Sequence, residues 1–112
     1  RDPNFGPIIV IGLGGVWVEL MKDVSLGIVP LNDQDIQKML ETLKGYPLLT
    51  GYRGREKCDL PSFKRMIKET VKLMQSEPKI LELDLNPVIV RKDGCIAVDA
   101  RMVIQNTLED SI

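Results

Sequence analysis

The chain has 112 residues, is 44% apolar, carries 15 Lys and Arg against 16 Asp and Glu for a net charge of -1, and contains no histidine. That length sets an upper limit of one domain, residues 1–112, with room for a modest core. The balanced charge argues against a general nucleic-acid or membrane-surface partner, no apolar run approaches the roughly 20 residues of a membrane span, and the lack of His removes His-based triads, His general bases and His-type zinc sites.

Cys58 and Cys95 are too few for a disulfide framework and lack Cys-x-x-Cys spacing. Both are read as free thiols of a reducing compartment, the cytoplasm. Any metal must then rely on oxygen ligands, which means Mg²⁺, Ca²⁺ or Mn²⁺. No signal peptide is visible. The chain begins at Arg1 and not at Met, so an excised piece or a processed product is expected.

Arg1 to Pro7 reads as a polar lead-in. Ile8 to Leu13 reads as a buried strand and Val16 to Met21 as another, with the Gly12-Leu-Gly-Gly stretch as the turn between them. That stretch is no dinucleotide fingerprint, because Trp17 stands where a third glycine is needed and no helix follows. Glu19 is read as a solvent-facing strand residue. Lys22 to Leu31 continues as strand or irregular chain, ending at Pro30. Asn32 or Asp33 then caps a helix whose apolar stripe is Ile36, Met39, Leu40 and Leu43, stopped by Gly45 and Pro47.

Tyr46 to Asp59 reads as a loop. Its Gly51-Tyr-Arg-Gly-Arg run pairs permissive glycines with Arg53 and Arg55, whose planar donor forks suit anionic oxygens such as phosphate; a solvated surface loop would have the same composition. Asp59, Leu60, Pro61 and Ser62 open a second helix. Phe63, Met66, Ile67, Thr70, Val71, Leu73 and Met74 form its inner face, and Lys64, Arg65, Lys68, Glu69 and Lys72 fall mostly outside it. Gln105 to Ile112 lacks periodicity and reads as a tail that frays.

Between them, Ile80 to Ile104 reads as two strands joined by a turn at Asp93-Gly94. Side chains of a strand alternate between faces, so Leu83, Leu85 and Ile89 share one face, and Glu82, Asp84 and Asn86 share the other. An even-length loop pairs even positions before it with odd positions after it. Ile96, Val98, Ala100 and Met102 then join the leucine face; Asp99 and Arg101 join the acidic one, together with Val88, Val90 and Ala97. With a two-residue Asp93-Gly94 loop, Asp99 falls opposite Val88 and diagonal to Asn86, about 7–8 Å away. Pro87 has no amide hydrogen to give to a ladder, so an edge or a bulge is expected there. The order strand, strand, helix, helix, strand, strand favours an α+β layout: one mostly antiparallel sheet with two helices on one face.

An amide oxygen and carboxylates on neighbouring strands suit Mg²⁺, which keeps several waters and shares its shell with substrate phosphates. An alternating hairpin with an acidic outer face, and no metal, has the same pattern.

Three stretches together resemble the ATP-grasp domain of NDP-forming acyl-CoA synthetases, the ADP-forming acetyl-CoA synthetases and their succinyl-CoA synthetase relatives. They are Phe5 to Val24, the Gly45-Tyr-Pro-Leu-Leu-Thr-Gly-Tyr-Arg-Gly run, and Glu82-Leu-Asp-Leu-Asn-Pro-Val-Ile-Val followed thirteen residues after Asn86 by Asp99. The similarity runs from Phe5 to Val103 and corresponds to the C-terminal part of that domain. It implies Asn86 and Asp99 as ligands of a nucleotide-bound Mg²⁺, with ATP or ADP as the nucleotide. It implies Asp84 near the phosphoryl-transfer centre, and Arg53 as the loop arginine with a catalytic and nucleotide-binding role. It further implies reversible conversion of acyl-CoA, ADP and phosphate to acid, CoA and ATP through a phosphohistidine. That histidine must lie outside a chain without His. The partners so implied are the other half of the ATP-grasp domain and a phosphohistidine- and CoA-binding domain or subunit in a hetero-oligomer, with no nucleic acid and no membrane. An alternative is a non-catalytic ATP-grasp-like module that senses acyl-CoA within a protein acyltransferase.

Overall fold

The computed structural model describes residues 1–4, 6–12, 23–51, 54 and 56–105. Strand β1 (Ile8–Gly12) pairs antiparallel with β2 (Val24–Ile28), with Ile9 opposite Gly27 and Ile11 opposite Ser25. The partner of β1 is therefore the segment read as strand or irregular chain. The strand expected at Val16 to Met21, with Glu19, lies outside the described residues.

Helix α1 (Asp33–Glu41) begins at Asn32, one of the two expected caps. The Asn32 side chain accepts from the Asp35 amide at 2.8 Å and the Asp35 carboxylate accepts from the Asn32 amide at 2.9 Å, so two amides that the helix leaves unpaired are satisfied reciprocally. The expected stripe is the core: Ile36, Met39, Leu40 and Leu43 are buried with Ile11 and Ile67. Leu40 is completely inaccessible, and burying such a side chain contributes roughly 1.5–3 kcal/mol.

The β1–β2 ladder receives these side chains on one face only. Ser25 and Gly27 point inward, and a Cβ at Gly27 would lie 2.5 Å from the Met39 sulfur, so the missing side chain is what lets α1 approach β2. Buried Asp23, 7% exposed, stands just before β2 and accepts from the amides of Lys44 (2.6 Å) and Gly45 (2.9 Å) in the turn after α1. One carboxylate thus ties the start of β2 to the end of the helix packed on it.

The Tyr46 to Asp59 stretch is not wholly loop. Tyr46–Thr50 forms a short helix, α2, with Pro47 in its first turn, where a missing amide hydrogen costs nothing. Gly51 closes it at φ 99°, a left-handed conformation that glycine reaches without strain. Helix α3 (Leu60–Ser76) starts at Asp59, as expected. Its inner face holds Ile67 fully buried and Phe63, Met66, Thr70, Val71 and Met74 half-buried. Leu73 is exposed: at roughly 100° per residue it sits about 120° from Ile67, off the apolar stripe. Arg1, read as part of a polar lead-in, closes the other end of α3. Its guanidinium donates to the carbonyls of Met74, Glu77 and Ile80, a cation where the helix dipole is negative.

The C-terminal strands are β3 (Ile80–Leu85), β4 (Val88–Arg91), β5 (Gly94–Ala97) and β6 (Ala100–Ile104). β4 pairs with β5 and β3 with β6, all antiparallel. The α+β layout with antiparallel pairing is as expected, drawn as three two-stranded ladders among the described residues. The long hairpin is cut once on each arm, at Asn86-Pro87 and at Val98-Asp99. Among the described residues, no helix is long and apolar enough to cross a membrane.

Replacing Asp23 with Ala leaves the Lys44 and Gly45 amides without their acceptor. A loss of about 1–3 kcal/mol in unfolding free energy is expected, read by urea titration of the purified variant.

Candidate functional site

The candidate site lies where the hairpin is cut. The tip is a two-residue loop, Lys92-Asp93, with Arg91 opposite Gly94; the turn therefore sits one position earlier than the expected Asp93-Gly94. Gly94 is the first residue of β5 and adopts φ 146°, which a side chain would resist. The shift of the turn moves each partner by two from Glu82 to Arg91, and a register irregularity between Ile80 and Glu82 sets Ile80 against Ile104. Leu83 faces Met102, Asp84 faces Arg101 and Leu85 faces Ala100, while Val88 faces Ala97.

Asp99 therefore stands opposite Asn86 and not, as expected, opposite Val88. The Asn86 amide donates to the Asp99 carbonyl at 3.1 Å, and the Val98 amide donates to the Pro87 carbonyl at 2.9 Å, so main-chain bonding spans the cut. The parity of the expected register holds, because both loops have two residues. What changes is distance: directly opposite residues lie closer than diagonal ones, about 4.5–5.5 Å between Cβ atoms.

Pro87 accounts for the cut. Without an amide hydrogen it cannot continue the ladder, and the chain turns there. The inward face changes parity across it. Leu83 and Leu85 are half-buried before Pro87, but Val88 and Val90 are half-buried after it, while Ile89 and Ile96 point outward, Ile96 at 62% exposure. Val88, Val90 and Ala97, expected to share the acidic face, are turned inward by this bend. Their removal leaves Asp84, Asn86, Asp99 and Arg101 as an exposed polar group at the joint.

The Asp99 side chain accepts from the Ala100 amide at 2.8 Å, which orients the carboxylate beside the cut. The donor atoms around it are oxygens on exposed side chains, a set that suits a hard divalent cation. Among the described residues no group of three or more His, Cys, Asp and Glu side chains could hold a metal by itself. Asn86 and Asp99 could therefore hold Mg²⁺ only with waters and substrate oxygens completing the shell, which is how that ion is commonly bound. Arg53 lies outside the described residues. Gly54 beside it has φ 77°, the kind of conformation its glycine permits.

Asp59 is the contact that the sequence reading treated only as a helix start. Its carboxylate accepts from the Ser62 hydroxyl (2.7 Å) and the Ser62 amide (3.1 Å), and its own amide donates to the Arg91 carbonyl at 2.6 Å. It thus docks the start of α3 against the hairpin. The Ser62 hydroxyl and then the Ser62 amide hold the Asp59 carboxyl below the usual carboxylate range. Half-buried Cys95 is pushed above the ordinary thiol value, by burial first and by the Asp59 charge second, with Arg65 opposing. Cys58 and Cys95 are both free thiols, as expected. The signal for Asp59 was available in the Asp-Leu-Pro-Ser run; nothing local marked Asp23 or Arg1.

Known proteins match this chain closely. The ATP-grasp domain family model matches residues 1–104. The chain is 40% identical over 104 residues to the beta subunit of acetate–CoA ligase (ADP-forming) I from Pyrococcus furiosus, covering 93% of this chain and 45% of that one. It is 43% identical over 106 residues to acetate–CoA ligase (ADP-forming) from Methanocaldococcus jannaschii, covering 92% of this chain and 15% of that one. Among solved structures, dinucleotide-forming acetyl-coenzyme A synthetase 1 from Ca. Korarchaeum cryptofilum, in complex with coenzyme A and Mg-AMPPCP, superposes with a TM-score of 0.88 at 44% identity, covering 94% of this chain and 49% of that one. The chain thus spans less than half the length of the two ligases it resembles.

Asp59→Asn tests the carboxylate that caps α3 twice. Asp59 in its depressed state contributes stability above its unfolded value, about pH 4, and loses it as pH falls through the lower folded value. Denaturant titrations at pH 7 and pH 3 should show the wild type losing more stability on acidification than the variant. Cys95 should also alkylate faster in the variant near pH 8, because one cause of its raised pKa is gone.

Proposed function

Because this chain belongs to the ATP-grasp domain family, we propose that its 112 residues form one unit, the C-terminal part of the ATP-grasp domain of an ADP-forming acyl-CoA ligase. The activity is the conversion of acyl-CoA, ADP and phosphate to acid, CoA and ATP, in the cytoplasm, where free thiols stay reduced. The observation that carries this reading is the register that sets Asn86 opposite Asp99 at the cut in the hairpin.

Asn86 and Asp99 are the residues that would hold a nucleotide's Mg²⁺. The bound ion would supply charge neutralisation on the phosphates. Asp84, two residues before Asn86 on the same face, places a carboxylate beside the phosphoryl-transfer centre, and Arg101 opposite it balances that charge across the ladder. Arg53 supplies a fixed positive charge for nucleotide phosphate oxygens and serves the transfer itself. The phosphohistidine that carries the phosphoryl group, most of the adenine pocket and the CoA site are supplied by residues outside these 112, on a further domain or a second subunit. Relatives that are separate beta subunits support a hetero-oligomer.

Asp99→Ala in the full-length protein should lower Mg²⁺-dependent ATP formation by at least about 100-fold, in line with the loss of a group that acts at the transferring phosphate. Turnover unchanged from wild type would refute the assignment. The 112-residue chain alone should bind ATP weakly or not at all. Tight ATP binding to it in calorimetry would contradict the division of the site between two halves.

A further inference from the structure

The rung next to the Asn86 and Asp99 pair sets an arginine against a carboxylate. Arg101 of β6 stands directly opposite Asp84 of β3, two residues along each arm from that pair. Side chains two apart on a strand share a face, and Asp84, Asn86, Asp99 and Arg101 are all exposed. Two residues of a strand span about 6–7 Å, a gap that the long arginine side chain can cross.

The Arg101 guanidinium is uncommitted. Opposite charges directly across a ladder have Cβ atoms about 4.5–5.5 Å apart and can pair. Yet the ion pairs among the described residues join Lys68 to Asp33, Lys72 to Glu69 and Lys92 to Glu56, and among those residues the Arg101 side chain makes no hydrogen bond. Arg1 differs: its guanidinium donates to three carbonyls at the end of α3. An arginine that served only to steady the ladder would close onto Asp84. This one leaves its donors open beside the candidate site.

The chemistry of this rung suits a phosphoryl group. A phosphate that approaches Asp84 and Asp99 meets like charge, and Arg101 is the cation that the register places among them. A guanidinium donates two parallel bonds to two oxygens of one phosphate, which the ammonium of a lysine cannot match. A phosphoryl group in transfer spreads its charge over three equatorial oxygens. A planar fork can hold two of these and leave the line of transfer open.

We propose that Arg101 binds the phosphoryl group that is transferred, the terminal phosphate of the nucleoside triphosphate, with its guanidinium on two of that group's oxygens. The proposal rests on the reading of Asn86 and Asp99 as ligands of the nucleotide's Mg²⁺. It gives the two rungs separate tasks. Asn86 and Asp99 hold the ion, while Arg101 holds the phosphoryl oxygens and offsets the charge of Asp84. A nucleoside diphosphate has no terminal group for Arg101 to hold, so this residue distinguishes the two nucleotides where the ion ligands do not.

Nucleotide binding to the full-length protein, measured by calorimetry with Mg²⁺ present, tests this apart from turnover. Arg101 is exposed, so its removal leaves the core intact. Arg101→Ala should weaken binding of a nonhydrolysable ATP analogue at least about tenfold, the loss expected of a charge-assisted hydrogen bond, and change ADP binding less than about twofold. Arg101→Lys keeps the charge without the fork and should fall between wild type and Arg101→Ala. Equal weakening of both nucleotides, the result of a ladder-steadying role, would overturn the assignment, and so would no weakening of the analogue. Asp99→Ala in the same titration separates this from the metal reading. If it removes the Mg²⁺ dependence of binding while Arg101→Ala is unselective, the ion ligands stand and the Arg101 assignment falls. If it keeps that dependence in full, the metal reading falls.

Discussion

The arrangement at the candidate site depends on the register of one hairpin. The two-residue Lys92-Asp93 loop sets Arg91 against Gly94. The same count carries past the cut to set Leu85 against Ala100 and Asp84 against Arg101. A loop longer or shorter by one residue would send Asp99 and Arg101 to the opposite face. Gly94 at φ 146° is the local feature that lets this short loop close. The polar group at the joint is thus a consequence of turn geometry more than of any attraction among Asp84, Asn86 and Asp99, which as like charges and an amide have little reason to gather unaided.

Pro87 adds the second constraint. It withholds one hydrogen from the ladder, and the arm bends. Beyond the bend, Val88 and Val90 turn inward, and Asp59 bonds Arg91 to hold the hairpin on α3. The exposed oxygens are left at the hinge between a strand pair on one side and a helix-backed tip on the other. A cation held there could be reached by a phosphate, which a site on a flat solvent-facing ladder would also allow, but the bend additionally separates the polar joint from the apolar tip.

The core explains why the remainder holds together. The stripe of α1 closes over β1 and β2 because Gly27 and Ser25 leave room, and the ion pair of Lys68 with Asp33 links α3 to the start of α1. That pair is exposed and contributes little. Asp23, buried and bonded to two amides, matters more, since removing it leaves donors without acceptors. Among the described residues β1 and β3 are each paired on one edge only, in a chain that spans 45% of a related beta subunit.

Local pattern was enough for helices α1 and α3, their caps, the core stripe of Ile36, Met39, Leu40 and Leu43, the strands of the C-terminal hairpin and the parity that gathers Asp84, Asn86 and Asp99. Each of these follows from spacing within a few residues. The short helix at Tyr46 was not legible, because Pro47 reads equally as a helix stop and as a first-turn residue. The pairing of β1 with β2, the bond from Asp59 to Arg91, the buried role of Asp23 and the Arg1 contacts with α3 were decided only by tertiary structure. They join residues far apart in the chain, and no local periodicity encodes them. The sequence by itself determined which side chains could share a face. The folded chain determined which were opposite each other, because register depends on where the turn closes and the buried face depends on where Pro87 bends the strand.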